Sequence, residues 1–468
     1  MKFPILLPNI FDHPFTYESD KNLKVGDYVK VPFGKSKITG VVWNEFEKKN
    51  SKNFKLKTVL KKLNVTPLKE TTIKFLNWFA EYNIIPKGMA LKLVLLSNNA
   101  VEKFQSDTFK DFNTDIKTNL IQLSEEQKNS LKKMNISNDK FRVHVLQGTT
   151  GSGKTMVYFS GLKEIINKGF QGLILLPEIG LTSQFEKKFL EFFGNRPAIW
   201  HSGISKKKKE VIWSGVANGE IKVVIGARSS LFLPFKKLGL IVVDEEHDPS
   251  YKQEEGVIYN ARDMAISRAS IENIPIHLVT AVPSLETYNN ILNKKYRKTE
   301  LKKRYENYPL PKTKIINLNL EKLKNGSLSK EAISISKSYL KKNNQILFFL
   351  NRRGYAPFLI CKECGYRHTC PNCSIYLTYH KVSDKIICHH CGYQSKTKRK
   401  CSKENSYCNF SMYGPGVEKV FEELKKIFPN KRIKIFSSDY LKKKQNSENL
   451  INEIIEQKVD ILVGTQMI

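Results

Sequence analysis

The sequence predicts an α/β protein of two parallel-sheet units, the second incomplete, with a small β-rich module in front and a cysteine-rich insertion within the second unit. Three observations predict it. From about residue 119 short apolar strands alternate with amphipathic helical segments, the pattern of a doubly wound sheet. A glycine-rich loop, GTTGSGKT at Gly148–Thr155, stands between a strand and a helix. All eight cysteines fall between Cys361 and Cys408.

Taken in order, the opening MKFPILLPNIFDHPF is apolar but broken by three prolines. It lacks the basic start and long apolar centre of a signal peptide. Val25–Phe33 alternates in strand fashion into Gly34, and Ile38–Trp43 reads as the returning strand of a hairpin or small barrel. Thr71–Tyr82 is helical, with Ile73, Leu76, Trp78 and Phe79 on its apolar face. Residues 1–97 thus form one module, and the polar stretch 98–118 reads as a linker. The first α/β unit, 119–325, has strands at Val143–Leu146, Gly172–Leu176, Val223–Ile225, Leu240–Val243 and His277–Val279, with helices at Met156–Lys168 and Thr182–Phe193. The second, 326–468, opens with the strand Gln345–Leu350 and is interrupted by 361–408. It resumes as helix Val417–Phe428 and strands Arg432–Phe436 and Asp460–Val463.

At 468 residues the chain suits about three domains. Its net charge of +33 favours a polyanionic partner. Lysine far outnumbers arginine, as AT-rich coding alone would produce, so runs such as Lys206–Lys209 and Lys442–Lys444 read as solvated faces. No apolar run approaches the roughly 18 residues that span a bilayer, which points to a cytoplasmic protein without a membrane partner. C-x2-C pairs in a reducing compartment indicate thiolate ligation rather than disulfides.

The chemistry concentrates in three places. In the loop, the backbone N–H groups of Gly148, Thr149, Thr150, Gly151, Ser152 and Gly153 suit phosphate oxygens, and the following helix N-terminus adds a favourable dipole. Lys154 would reach the β and γ phosphates of ATP, and the Thr155 hydroxyl would bind Mg²⁺. About 90 residues on, Asp244-Glu-Glu-His247 ends an apolar strand. Asp244 is placed to hold Mg²⁺ and Glu245 to activate water. His247 reads either as a link to neighbouring polar groups or as a structural histidine. Cys361, Cys364, Cys370, Cys373, Cys388, Cys391, Cys401 and Cys408 make two closed, structural sites for two Zn²⁺ ions. Gly365 and Gly392 follow the second cysteine of a pair, as tight knuckles prefer. Spacing alone does not fix which four share an ion.

Together these residues resemble the PriA-type primosomal helicases, superfamily 2 motors of replication restart with two RecA-like lobes. Lys24–Gly34 (KVGDYVKVPFG) looks like the family's N-terminal domain that captures a DNA 3′ end. Leu123–Gln127 (LSEEQ) resembles the segment whose glutamine, here Gln127, recognises adenine. Leu175–Gln184, His201–Ser205 and Val224–Phe235, the last carrying Arg228, resemble DNA-contacting motor motifs. Asp248–Asp263, with Tyr251, Lys252, Tyr259 and Arg262, looks like the aromatic-rich loop coupling DNA to hydrolysis. Leu350–Cys364 joins the second lobe to the zinc module, and Val463–Ile468, with Thr465, begins motif V.

The resemblance implies an ATP-dependent 3′-to-5′ helicase that binds forked and single-stranded DNA, with primosome proteins and single-strand-binding protein as partners. The sequence itself does not encode an oligomeric state, and a monomer is the default expectation. A fork-binding, primosome-recruiting module without turnover, or a double-stranded DNA translocase, is the alternative. It also implies nested zinc pairing: Cys361, Cys364, Cys401 and Cys408 outside, Cys370, Cys373, Cys388 and Cys391 inside. Five departures stand out. Val282 replaces a hydroxyl residue in the family's SATPS motif. Val257 and Asn260 replace an aromatic and a histidine, leaving Tyr251 and Tyr259 to stack. The last cysteine pair is spaced x6, and the linker leaves no room for a winged helix. The chain stops within motif V and lacks motif VI with its arginine finger, as a fragment would.

Overall fold

The computed structural model describes residues 1–46, 56–95, 101–102, 122–134, 140–177, 183–304, 309, 311–318, 327–350, 358–361, 364–380, 384–396, 410–413, 416–436 and 444–465. The chain forms two compact units, Met1–Leu310 and Pro311–Ile468.

The first unit opens with β1 (Lys2–Leu6), β2 (Phe15–Glu18), β3 (Tyr28–Phe33), β4 (Ser36–Val42), β5 (Lys57–Thr58) and β6 (Lys61–Lys62), in the order β5-β2-β1-β4-β3-β6. The proline-broken start is therefore a strand. Pro4 faces Thr16 of β2, and pairing with β4 begins one residue later at Ile5, so the missing N–H costs no ladder bond there. One sheet face closes on Ile5, Tyr17, Val29 and Val31. The other, through Leu6, Tyr28, Val41 and Trp43, joins a larger core shared with α1 (Glu70–Tyr82), α2 (Lys87–Leu95) and the α/β layer that follows.

That layer comprises α3 (Glu125–Met134), β7 (Arg142–Gly148), α4 (Lys154–Asn167), β8 (Gln171–Leu175), α5 (Ser183–Phe193), β9 (Ala198–Trp200), α6 (Lys206–Asn218), β10 (Val223–Gly226), β11 (Leu238–Asp244), the short pair β12 (Lys252–Gln253) and β13 (Tyr259–Asn260), α7 (Ala261–Glu272), β14 (Pro275–Thr280), α8 (Leu285–Leu292) and β15 (Arg297–Leu301). Seven strands form one parallel sheet, β15-β7-β14-β11-β8-β10-β9. Its five inner strands are those the apolar runs predict. The edge strands carry no such signal, because β9 has three residues and the exposed residues of β15 are charged. Helices α3, α4 and α5 cover one face, and α6 and α7 cover the other together with α1. The seam with the N-terminal module is aromatic. Phe79 of α1 meets Phe232 and Tyr259 edge-on at 4.9 and 5.5 Å between centroids, and the Trp213 indole donates to the Val94 carbonyl at 2.8 Å.

The second unit holds α9 (Lys330–Leu340), β16 (Ile346–Phe349), β17 (Phe358–Cys361), β18 (Thr378–His380), β19 (Lys385–Ile387), β20 (Gln394–Lys396), β21 (Phe410–Tyr413), α10 (Val417–Ile427), β22 (Ile433–Phe436), α11 (Lys444–Ile455) and β23 (Ile461–Gly464). A parallel sheet β16-β23-β22 packs α9 and α10 on one face and α11 on the other. The cysteine region forms the antiparallel pair β17–β21 and the sheet β18-β19-β20. Most of the linker 98–118, Lys442 and Lys443 of the second lysine run, and Cys401 and Cys408 lie outside the described residues.

Candidate active site and metal centre

A parallel sheet places every carboxyl end on one edge, and here three ends matter. β7 runs into the glycine loop, β11 ends at Asp244, and β14, lying between them, ends at Thr280. Gly151 and Gly153 hold the loop in left-handed backbone, φ +84° and +81°. A Cβ on Gly153 would also lie 2.2 Å from Nε2 of Gln127. Lys154 opens α4, and its ammonium donates to the Gly148 carbonyl at 2.7 Å.

Asp244 is buried at the sheet edge. Its Oδ2 accepts from the Tyr158 hydroxyl at 2.8 Å, and its Oδ1 accepts from the Glu245 N–H at 2.9 Å. Burial first, then the neighbouring Glu245 carboxylate, pushes Asp244 up to about 6, against an opposing pull from Tyr158 and Lys154. Tyr158 thus braces the carboxylate read as an Mg²⁺ ligand. The sequence reading missed Tyr158. Its signal was a hydroxyl on an apolar helix, one turn past Lys154. The glycine loop, Lys154, Thr155, Asp244 and Glu245 therefore share one edge of one sheet.

His247 is a link rather than an isolated structural group. The Thr280 hydroxyl donates to the Val282 carbonyl at 2.7 Å, so Nδ1–H of His247 is the donor to Thr280 at 2.8 Å. Val282 itself points outward, 68 % exposed. The connection between the acidic segment and the segment after β14 therefore runs through Thr280 and Ser284, and the lost hydroxyl of Val282 does not break it.

Gln127 is buried and braces the glycine loop. Its Nε2 donates to the Ser152 carbonyl at 3.0 Å. Its Oε1 accepts from the Ser124 N–H at 2.9 Å, and the Ser124 hydroxyl accepts in return from the Gln127 N–H at 3.3 Å. That reciprocal arrangement is a capping box, legible in Ser-Glu-Glu-Gln.

Three expectations about the aromatic-rich loop are corrected. Tyr251 and Tyr259 are buried, so neither ring offers a face for stacking on a base. The Tyr251 hydroxyl instead links the carbonyls of Leu175 (2.9 Å) and Asp244 (2.5 Å), and Tyr259 belongs to the aromatic seam. Arg262 is also buried, paired with Glu246 at 3.2 Å and Asp263 at 2.8 Å, because a charge taken out of water needs such partners. Asn260 is the N-cap of α7, accepting from the Arg262 N–H, and Val257 is core. Arg228 and Lys252 remain at the surface, joined by a 2.8 Å hydrogen bond from the guanidinium to the Lys252 carbonyl. Thr465, in the other unit, is buried past β23.

In the second unit the sulfurs of Cys370, Cys373, Cys388 and Cys391 lie within 4.8 Å of one another. Thiolates about 2.3 Å from a zinc ion sit roughly 3.8 Å apart, so the four fit a tetrahedral ion. Within the cluster the Cys391 N–H leads in drawing the Cys388 thiol down, while the hydrogen bond to Cys388 pushes the Cys373 thiol up, so the thiols share their charge and the fit to zinc rests on their geometry. Three knuckles share one turn. Gly365, Ser374 and Gly392 each follow a C-x2-C pair with φ of +71°, +57° and +77°, and each N–H returns to the carbonyl of that pair's first cysteine. β17 and β21 pair so that Cys361 faces Phe410, two residues beyond Cys408 in the chain.

Three family models match: the 3′ DNA-binding domain of PriA over residues 4–96, a DEAD/DEAH box helicase over 104–291, and the Cys-rich region of PriA DNA helicase over 370–396. Fold, loop and acidic motif thus define a DEAD/DEAH-class helicase core carrying a DNA-binding module and a zinc ribbon. The replication restart protein PriA of Rickettsia conorii is 42 % identical over 99 % of this chain and 71 % of its own length. That of Haemophilus influenzae is 33 % identical over 99 % and 73 %, and that of Bacillus subtilis 36 % over 78 % and 45 %. The chain belongs to the PriA replication restart family. No described helix is long and apolar enough to cross a membrane.

Proposed function

We propose that this protein is an ATP-dependent DNA helicase, moving 3′ to 5′, that recognises branched forks in replication restart. One observation carries the reading: Lys154, Asp244 and Glu245 meet at one sheet edge in a unit that shares its core with a 3′ DNA-binding domain. In it the loop amides and Lys154 bind and orient the triphosphate, Gln127, its amide committed to Ser152 and Ser124, steadies the loop from behind, and Glu245 takes the proton of the attacking water. Magnesium, held by Thr155 and Asp244, supplies charge neutralisation on the phosphates. Arg228 and Lys252 contact the DNA backbone, and Thr465 serves the second lobe.

The modules divide at 1–97, 98–118, 119–325 and 326–468, with zinc bound within 361–408. One aromatic surface on the first module is the ring group Phe11, His13, Phe15 and Phe33, with centroids 4.9 to 6.2 Å apart and Phe11 40 % exposed. Cys370, Cys373, Cys388 and Cys391 hold one zinc. Cys361, Cys364, Cys401 and Cys408 hold a second, supported by the register that sets Cys361 opposite Phe410. The protein works as a cytoplasmic monomer with primosome and single-strand-binding proteins.

Strand displacement on forked and blunt duplexes tests this. The expected result is ATP-dependent unwinding of forks with 3′-to-5′ polarity, abolished by Lys154→Ala. Fork binding without ATP-dependent motion contradicts it and leaves a recruiting module. Motion without strand separation leaves a translocase.

A further inference from the structure

Glu246, the third acid of Asp244-Glu-Glu-His247, is the least exposed of the three and faces away from the glycine loop. Its side chain is fully buried. Oε1 accepts from the Ser284 N–H at 2.8 Å. Oε2 accepts from the Thr287 hydroxyl at 2.9 Å, the Ser284 hydroxyl at 3.1 Å and the Arg262 guanidinium at 3.2 Å. Its own N–H is held by the Val279 carbonyl at 3.1 Å. One carboxylate thus gathers the first turn of α8 and the first residues of α7. A buried ion pair is a poor way to add stability, since apolar residues of similar volume do as well, so its placement calls for another account.

The residue before it supplies one. Glu245 has φ +47°, left-handed backbone that a side chain of this size adopts only when its surroundings impose it. Asp244 fixes one side through the strand, and Glu246 fixes the other through its four donors. We infer that Glu246 is a positioning residue: clamped by Arg262, Ser284 and Thr287, it holds the backbone of Glu245 in its left-handed state and ties it to the segments Asp248–Asp263 and Thr280–Thr287. This rests on the reading of Glu245 as the group that activates water. Movement of either segment would then reach the reactive carboxylate through one rigid joint.

The test uses the whole chain with Glu246→Gln, which keeps size and three donors but not the charge, and with Arg262→Lys and Arg262→Ala. DNA-stimulated kcat should fall about tenfold or more while KM for ATP moves less than about threefold. The double variant should be no worse than its worse single, because the pair acts as a unit. A kcat within twofold of wild type for Glu246→Gln overturns the inference. Glu245→Gln is the control: full activity there would sink the reading of Glu245 and the inference with it, whereas loss of activity there alone sinks only the inference. The variants are also scored by how far forked DNA tightens binding of a fluorescent ATP analogue, which needs no turnover. Tightening lost in Glu246→Gln supports the joint, and tightening retained overturns it.

Discussion

At the scale of single residues the site depends on groups that sit behind the obvious ones. Tyr158 donates to a buried carboxylate, so Tyr158→Phe leaves Asp244 short of a partner at the cost of about 1–3 kcal/mol. Urea unfolding should show that loss, together with a higher magnesium requirement for nucleotide binding. Gly153→Ala adds a Cβ against Gln127 to a left-handed backbone. Trimming Gln127 to alanine should relieve only the clash, so the double variant should still bind nucleotide more weakly than wild type in a fluorescent-nucleotide titration. Two buried histidines set an acid limit. His144 and His277 lie side by side on β7 and β14. Burial, then the charges of Arg297 and Arg142, pulls His144 down to about 4, and burial, then His144, pulls His277 down to about 3. Below about pH 6.5 the unfolded chain binds protons that the folded chain refuses, so stability falls with pH down to those values and is indifferent to both groups above it. Chemical denaturation of wild type against His277→Gln between pH 7 and pH 4 should show the variant losing less.

At the scale of elements, the three zinc knuckles make a controlled comparison. Ser374 occupies the turn position that glycine fills at 365 and 392. Ser374→Gly should therefore stabilise the ribbon by up to about 1 kcal/mol, and Gly392→Ala should destabilise it by a similar amount, read from zinc retention against a chelator. The inner strands of the first α/β layer and helices α1, α4 and α5 were legible because each is a continuous apolar run or a helical stripe ended by glycine or asparagine, whereas α2, α3, α6, α7 and α8 were not read from the sequence. β15 was not, because Arg297–Leu301 is an edge strand whose exposed residues are charged. β1 was hidden by Pro4, which a strand tolerates only through its local pairing. The glycine loop and acidic motif were legible because phosphate and metal chemistry constrain contiguous residues. Tyr158, Glu246 and Ser284 were not, because their roles come from contacts across elements that no spacing encodes. Tyr251 and Tyr259 misled for a related reason: an aromatic residue in a loop suits both a stacking surface and a core, and only packing distinguishes them.

At the scale of the whole molecule, charge and metal content give two bulk predictions. With a net charge of +33, fork binding should weaken by about 10³ or more between 50 and 200 mM salt if six or more phosphates are neutralised. Thiol-specific mercurial titration should release two zinc ions per chain if the outer cysteines pair as the register suggests, and one if only the inner four do. The N-terminal module and the first α/β layer share one core, so DNA held by the module can bear on the sheet edge carrying Asp244 and Glu245. The most direct test of that account is phosphate release from ATP by the purified chain with and without forked DNA bearing a free 3′ end. Release that rises about tenfold or more with the fork, and vanishes in Lys154→Ala and Glu245→Gln, is the predicted result. Release that is absent, or that ignores both substitutions, would contradict it.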